Sequence, residues 1–245
     1  MPNHLTAAGR EYVDHLVNQF EEESKSEDEH SAAIWERLAK SEGFEWALMS
    51  GSRCVARLPT TIQGVPLVEG TRNHVIKIDI GAIQQVSDPI RWQNYTEMHI
   101  WQQAQERNVE NLFAAIIAVD TESYRWLVME ECTVIGRDTM RVEIGDKREI
   151  RCDSPIETKM KRLAADDPSS IPDSPISELK SGLSAAGLKI GASYQGQVGV
   201  TQDGDVVLLD YAHVTSTNRE DPWYASTDMM TGKKVREDSS PYNPM

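Results

Sequence analysis

Two segments near the start of the chain carry apolar residues at helical spacing. The stripes consist of Val13, Leu16, Val17 and Phe20, followed by Ile34, Trp35, Leu38 and Ala39. Recurrence at i, i+3, i+4 and i+7 is typical of an amphipathic helix with one buried face. Between the stripes, residues 21–29 hold six acidic side chains, a composition typical of solvated linker. We therefore predict an N-terminal helical segment with an acidic linker over residues 1–43.

A strictly alternating run over residues 75–80 predicts a strand. It places Ile76 and Ile78 on one face and Lys77 on the other. Further strand pairs are predicted at residues 44–49 with 53–58, 112–119 with 124–130, 139–144 with 147–152, and 197–201 with 206–209. Pro89 can open a long helix to about Arg107, with Glu97 on its buried side. A carboxylate in that position is costly unless it is paired.

The remaining segments complete an α+β order of elements, because the strands do not alternate regularly with helices. We predict loop over residues 59–72, helices over residues 156–165 and from Ser174 to Gly187, and an extended or disordered tail. The domains expected are an N-terminal helical segment (1–43), a sheet plus helix (44–131), a smaller C-terminal region (132–214) and the tail (215–245).

Composition narrows the classes of partner. The 245 residues carry a net charge of -14, which disfavours nucleic acid and anionic membranes because both bind through surplus Lys and Arg. No apolar run approaches the ~18 residues of a membrane span, so we expect neither membrane insertion nor secretion, and a cytoplasmic location. The three cysteines are widely spread and the six histidines lack ligand spacing, which argues against disulfides and zinc.

Three polar residues stand out against apolar strand and helix surroundings: Lys77, Glu97 and Asp210. In their order and spacing they resemble the protein-kinase-like fold, with an antiparallel N-lobe sheet, one long helix and a reduced C-terminal lobe. The resemblance implies that Lys77 pairs with Glu97 and grips ATP phosphates. It also implies that the backbone from Glu130 to Cys132 forms the hinge that binds adenine, and that Asp210 holds a magnesium ion. From the residues alone, Lys77 and Glu97 could equally be solvated, and Asp210 could simply end a hairpin.

Three short motifs indicate a particular group of kinase-like proteins. Gly51-Ser52-Arg53, Val75-Ile76-Lys77 and Gln93-Asn94-Tyr95-Thr96-Glu97 are similar to reduced kinase-like proteins encoded by tailed viruses of bacteria and archaea. The chain also departs from the kinase pattern at the catalytic loop. If the family's asparagine falls on Gln197, its base aspartate falls on Ala192, and a methyl group cannot accept a proton.

These departures favour a non-catalytic interaction or structural protein on a degenerate kinase-like fold. Its partner is expected to be another protein, docked through the N-terminal helices or the tail. If the chain is virus-encoded, a virion component or a host-interaction factor fits, and self-association stays open. The alternative is an ATP-binding pseudokinase switch, with ATP and magnesium as ligands. A third hypothesis is an active phosphotransferase with an atypical base.

Overall fold

The computed structural model describes residues 4–25, 31–50, 53–84, 93–135, 177–189, 198–211, 214–216, 227–228 and 233–234. The described helices are α1 (Ala7–Ser24), α2 (Ser31–Ser41), α3 (Ile80–Ile83), α4 (Gln93–Glu106) and α5 (Ser177–Ala185), with a 3-10 turn at Glu110–Leu112. The strands are β1 (His4–Leu5), β2 (Ala47–Ser50), β3 (Arg53–Leu58), β4 (Thr61–Ile62), β5 (Val65–Pro66), β6 (Val68–Glu69), β7 (His74–Asp79), β8 (Ile116–Val119), β9 (Trp126–Glu130), β10 (Thr133–Ile135), β11 (Leu188–Lys189), β12 (Val198–Val200), β13 (Val206–Leu208), β14 (Thr215–Ser216), β15 (Thr227–Asp228) and β16 (Lys233–Lys234). None of the described helices is both long and apolar enough to cross a membrane.

The chain divides into two units. Unit 1 comprises Met1–His99 and Ala115–Glu131, and unit 2 comprises Ile100–Ala114 and Cys132–Met245. The boundary predicted after residue 43 falls inside unit 1, because α1 and α2 share a core with the strands that follow them. The boundary predicted after residue 131 falls where the chain passes into unit 2.

Unit 1 is built on a five-stranded antiparallel sheet. The strand order is β2-β3-β7-β9-β8, so the strand that carries Lys77 lies in the centre. The alternation seen in the sequence is confirmed, although β7 runs over His74–Asp79 and Ile80 begins the short helix α3. Both faces of β7 are buried, including the face that holds Lys77 and Asp79. The mixture of helices with antiparallel sheets agrees with the predicted α+β class.

One face of this sheet packs against α1 and α2. Their predicted stripes are confirmed, because every residue of both stripes is buried. The core joins Val13, Leu16, Val17 and Phe20 of α1 and Ile34, Trp35 and Leu38 of α2 to Cys54, Ala56, Leu58, Ile76, Ile78, Trp126 and Val128 of the sheet. Phe20 and Trp35 meet edge to face, with ring centroids 6.0 Å apart. The N-terminal helices therefore supply one wall of the hydrophobic core of unit 1.

The acidic run is partly helix, which corrects the linker prediction. Helix α1 extends to Ser24 and so includes three of the acids. Each of them has a cationic partner: Glu21 with Arg125, Glu22 with Lys25, and Glu23 with Arg37. These contacts offset the repulsion that the sequence suggested, so the helix continues through the acids. Residues 26–30 lie outside the described part of the chain.

Two further segments differ from the prediction. The strand predicted over residues 112–119 begins only at Ile116. Before it, the Ala114 amide donates to the Leu208 carbonyl at 2.8 Å within unit 2, so this part of the chain pairs elsewhere. The predicted loop over residues 59–72 contains the short antiparallel pair β4 and β5, and β6, which pairs with β1.

Unit 2 contains the antiparallel sheet β10-β12-β13 and helix α5. The predicted hairpin near its end is confirmed by the pairing of β12 with β13. The predicted helix stop is confirmed as well, because Gly187 follows α5 with a φ of 72° that favours glycine. The hairpin predicted over residues 139–152, the helix over 156–165 and the loop with Ala192 and Gln197 lie outside the described residues.

Candidate functional site

Lys77 and Glu97 form an ion pair inside unit 1. The Lys77 Nζ atom donates to Glu97 Oε1 at 3.2 Å and to Oε2 at 3.1 Å. The two side chains are 8% and 0% exposed, so water screens neither charge. The predicted pairing of these two residues is confirmed. Their role in binding nucleotide phosphates stays a prediction.

A second cation, Arg53, shares the same carboxylate. Its Nη1 atom lies 2.9 Å from Glu97 Oε2, and both side chains are buried. The sequence places Arg53 in the Gly51-Ser52-Arg53 motif but predicts no role for it. The signal that could have found it is strand register: Arg53 lies opposite Asp79, and Val55 opposite Lys77, on the same face of the sheet. Glu97 is therefore the shared anion of a buried Arg–Lys–Glu cluster.

Asp79 lies beside this cluster at the end of β7 and is fully buried. Its carboxylate accepts the amides of Gly81 at 2.9 Å and Ala82 at 3.3 Å, and so caps α3. Its other oxygen accepts a hydrogen bond from the backbone amide of Asn94, in the first turn of α4, at 3.1 Å. Burial raises the pKa of Asp79, while these amides and the charge of Arg53 act in the opposite direction.

Asn94 completes the connection between the strand and the helix. Its Nδ2 atom donates to the backbone carbonyls of Lys77 and Tyr124, each at 3.2 Å. The side chain is fully buried, and its Oδ1 atom has no hydrogen-bond partner among the described residues. The N-terminal turn of α4 is therefore fixed to the strand that carries Lys77.

The predicted hinge residues are only partly available to a ligand. The Glu130 carboxylate binds Arg72 at 2.7 Å, and its amide donates to the Ala115 carbonyl at 2.9 Å. The next amide, of Glu131, donates to the backbone of Asn73. Cys132 is half-buried and lies at the start of a unit 2 segment. Contacts of Glu130 or Cys132 with adenine stay a prediction.

Asp210 belongs to unit 2, two residues after β13, and is partly buried. The neighbouring Tyr211 is fully buried and donates its hydroxyl to the Ala114 carbonyl at 3.1 Å. Within the described residues, no three His, Cys, Asp or Glu side chains group as metal ligands would. The described side chains thus include the lysine–glutamate pair that the resemblance implies, and the magnesium role of Asp210 stays a prediction. Convergence of Asp210 with Lys77 stays a prediction.

A buried histidine lies at the far end of β7. His74 pairs with Glu130 in the sheet and is 1% exposed. Burial, and then the positive charge of Arg72, lowers its pKa to about 4, and a backbone contact with Arg72 offsets this only in part. The imidazole is therefore neutral at physiological pH and adds no charge beside the Arg72–Glu130 pair.

The fold and site define an α+β protein in which an arginine and a lysine of the antiparallel sheet share a buried glutamate of α4. No family model and no curated protein matches the chain. One similar solved structure is WbdD with the kinase inhibitor LY294002, at 14% identity and a TM-score of 0.35, covering 71% of this chain and 33% of that one. Another is the Rv3197–erythromycin complex from Mycobacterium tuberculosis, at 13% identity and 0.35, covering 86% and 59%. The chain thus spans about a third and three-fifths of their lengths, and likenesses this distant assign neither fold nor function.

Proposed function

We propose that this chain is a non-catalytic interaction or structural protein built on a kinase-like fold. The observation that supports the proposal is the sharing of Glu97 between Lys77 and Arg53 in the interior of unit 1. The Lys77 ammonium contacts both carboxylate oxygens of Glu97 and lies beside a second cation. These three groups therefore form an internal charge cluster. Desolvation offsets much of the attraction in a buried charge cluster, so we infer that this cluster fixes the geometry of the interior more than it adds stability.

The sequence supports the absence of phosphate transfer. A kinase needs a carboxylate to accept the proton of the attacking hydroxyl, and the matching position carries Ala192. Without that base, binding is the activity left to such a fold. The expected partner is another protein, reached through the outward faces of α1 and α2 or through the tail. A virus-encoded origin, with a role in the virion or toward the host, rests on the resemblance alone.

Thermal unfolding with and without ATP and magnesium tests this proposal. We expect the melting temperature to change by less than about 1 °C at millimolar nucleotide, because a structural cluster gains nothing from the ligand. A ligand present at 100 times its Kd would stabilise the fold by ~2.7 kcal/mol, which is about 5–10 °C for a chain of this size. A shift of that size in the parent would contradict a purely structural role.

The second candidate function is an ATP-binding pseudokinase switch. The observation that favours it is the Lys77–Glu97 pair itself, in which Lys77 Nζ lies 3.1 Å from Glu97 Oε2. This function requires a nucleotide-induced shift that is lost in Lys77→Met and retained in Lys40→Met, which changes an exposed lysine on α2. Equal shifts in both variants would place the nucleotide elsewhere and reject this candidate.

A further inference from the structure

We propose that Asp79 is a positioning residue that, together with Asn94, keeps α4 fixed so that Glu97 remains on Lys77 and Arg53 with or without a ligand. The Asp79–Asn94 clasp is our name for the hydrogen bonds accepted by the Asp79 carboxylate, one of them from the Asn94 backbone amide, together with those donated by the Asn94 side chain. This inference rests on the proposed function, because a fixed helix is expected of a structural protein and a movable helix is expected of a switch.

The strand side of the clasp is the Asp79 carboxylate. Asp79 lies two residues after Lys77 on β7, so both side chains project from the same face of the sheet. One carboxylate oxygen binds Gly81 and Ala82 in α3, and the other binds the Asn94 amide in α4. A single buried anion therefore holds two helix starts at the end of the strand, where the positive ends of helix dipoles favour negative charge.

The helix side of the clasp is the Asn94 side chain. It returns two donations, one to the Lys77 carbonyl and one to the Tyr124 carbonyl. Asn94 precedes Glu97 by three residues, which places both on the same side of α4. The turn that fixes Asn94 to β7 therefore also aims the Glu97 carboxylate at the Lys77 ammonium.

Arg53 adds a third anchor from the neighbouring strand. It lies opposite Asp79 in the pairing of β3 with β7, and its guanidinium contacts Glu97 one turn further along the helix. Asp79, Asn94 and Glu97 are each 0% exposed. Water cannot replace their partners without opening the interior, so moving α4 away would leave buried polar groups unpaired. The geometry therefore favours one position of the helix.

The clasp is tested by acylating the lysines of the full chain with a small amine-reactive ester. Mass spectrometry of the digested peptides then gives the reaction rate of each lysine. In the parent we expect Lys77 to react at least ~100-fold more slowly than the exposed residues Lys25 and Lys40, because it reacts only when α4 opens. Asp79→Ala and Asn94→Leu should each raise the Lys77 rate by ~10-fold or more. Asp79→Asn keeps one acceptor oxygen and should raise it less.

Matched controls separate positioning from general loosening. Thr6→Ala removes the N-cap of α1, which accepts the Gly9 amide at 2.9 Å in the same unit. It should leave the Lys77 rate unchanged. If Asp79→Ala fails to fold, Asn94→Leu still tests the clasp, because the Asp79 cap of α3 is retained. Near-ultraviolet circular dichroism reports whether the buried Trp126 keeps its native surroundings.

Equal Lys77 rates in the parent and in both clasp variants would overturn the inference, as would a parent rate close to that of Lys25. Adding ATP and magnesium separates this failure from that of the proposed function. Protection of Lys77 by nucleotide would contradict the proposed structural role and favour the ATP-binding switch, while a higher Lys77 rate in Asn94→Leu would still support the clasp. If nucleotide leaves the Lys77 rate of the parent unchanged and only the clasp variants have a higher rate, the result supports both the clasp and the proposed function.

Discussion

Replacing Glu97 with glutamine is expected to lower the free energy of unfolding by about 3–5 kcal/mol, because it leaves two buried cations without their shared anion. Arg53 and Lys77 both contact this carboxylate, and neither side chain is more than 8% exposed. The loss is measured by chemical denaturation at neutral pH. The double variant Glu97→Gln with Lys77→Met should recover part of it, since one of the two buried cations that lose this carboxylate is then removed.

The matched control is Glu45→Gln, the same substitution at an exposed ion pair. Glu45 contacts Arg57, and its side chain is 69% exposed. Pairs of this kind contribute about 0–1 kcal/mol, so the control should unfold close to the parent. If the two glutamine variants lose the same free energy, the cluster around Glu97 is not the desolvated charge site described above.

Replacing Phe20 with alanine is expected to cost about 3–5 kcal/mol, the range for removing a buried aromatic side chain. Phe20 is 0% exposed and packs edge to face on Trp35, in the core that joins α1 and α2 to the sheet. The cavity would fall where the N-terminal helices meet the rest of unit 1. Denaturation followed by the fluorescence of the core tryptophans measures the loss.

Leu48→Ala provides the control for this second prediction. Leu48 is 47% exposed on the edge strand β2, so its truncation should change the free energy of unfolding by no more than ~0.5 kcal/mol. If Phe20→Ala is as mild as Leu48→Ala, the N-terminal helices do not share the core of the sheet. In that case a domain boundary after residue 43 would be the better description.

The regular elements could be predicted because each follows one local period. The stripes of α1 and α2 repeat at helical spacing, and β7 alternates between its two faces. The pairing of Lys77 with Glu97 is implied by the kinase-like resemblance, since the residues alone indicate only that a carboxylate on the buried side of a helix is costly unless it is paired. The helices and the strand need only their neighbouring residues.

The rest of the site depends on register between segments far apart in the chain. Arg53 reaches Glu97 only because β3 pairs with β7 in the register that puts Arg53 opposite Asp79. The late start of β8 has a similar cause, because Ala114 bonds to Leu208, 94 positions further on. For the acidic run, local composition predicted a linker where the structure has the end of α1. The composition could not show this because Arg125, which pairs with Glu21, lies far along the chain.

The most direct test of a kinase-like protein without phosphate transfer is the release and transfer of labelled phosphate from ATP in the presence of magnesium. We expect the parent chain to give no more product than the buffer alone, since the kinase-like resemblance aligns Ala192 with the residue that would accept the proton. Turnover by the parent that is abolished in Asp210→Ala would contradict this account, provided that turnover is retained in Asp205→Ala, which changes an exposed aspartate in the hairpin that precedes Asp210.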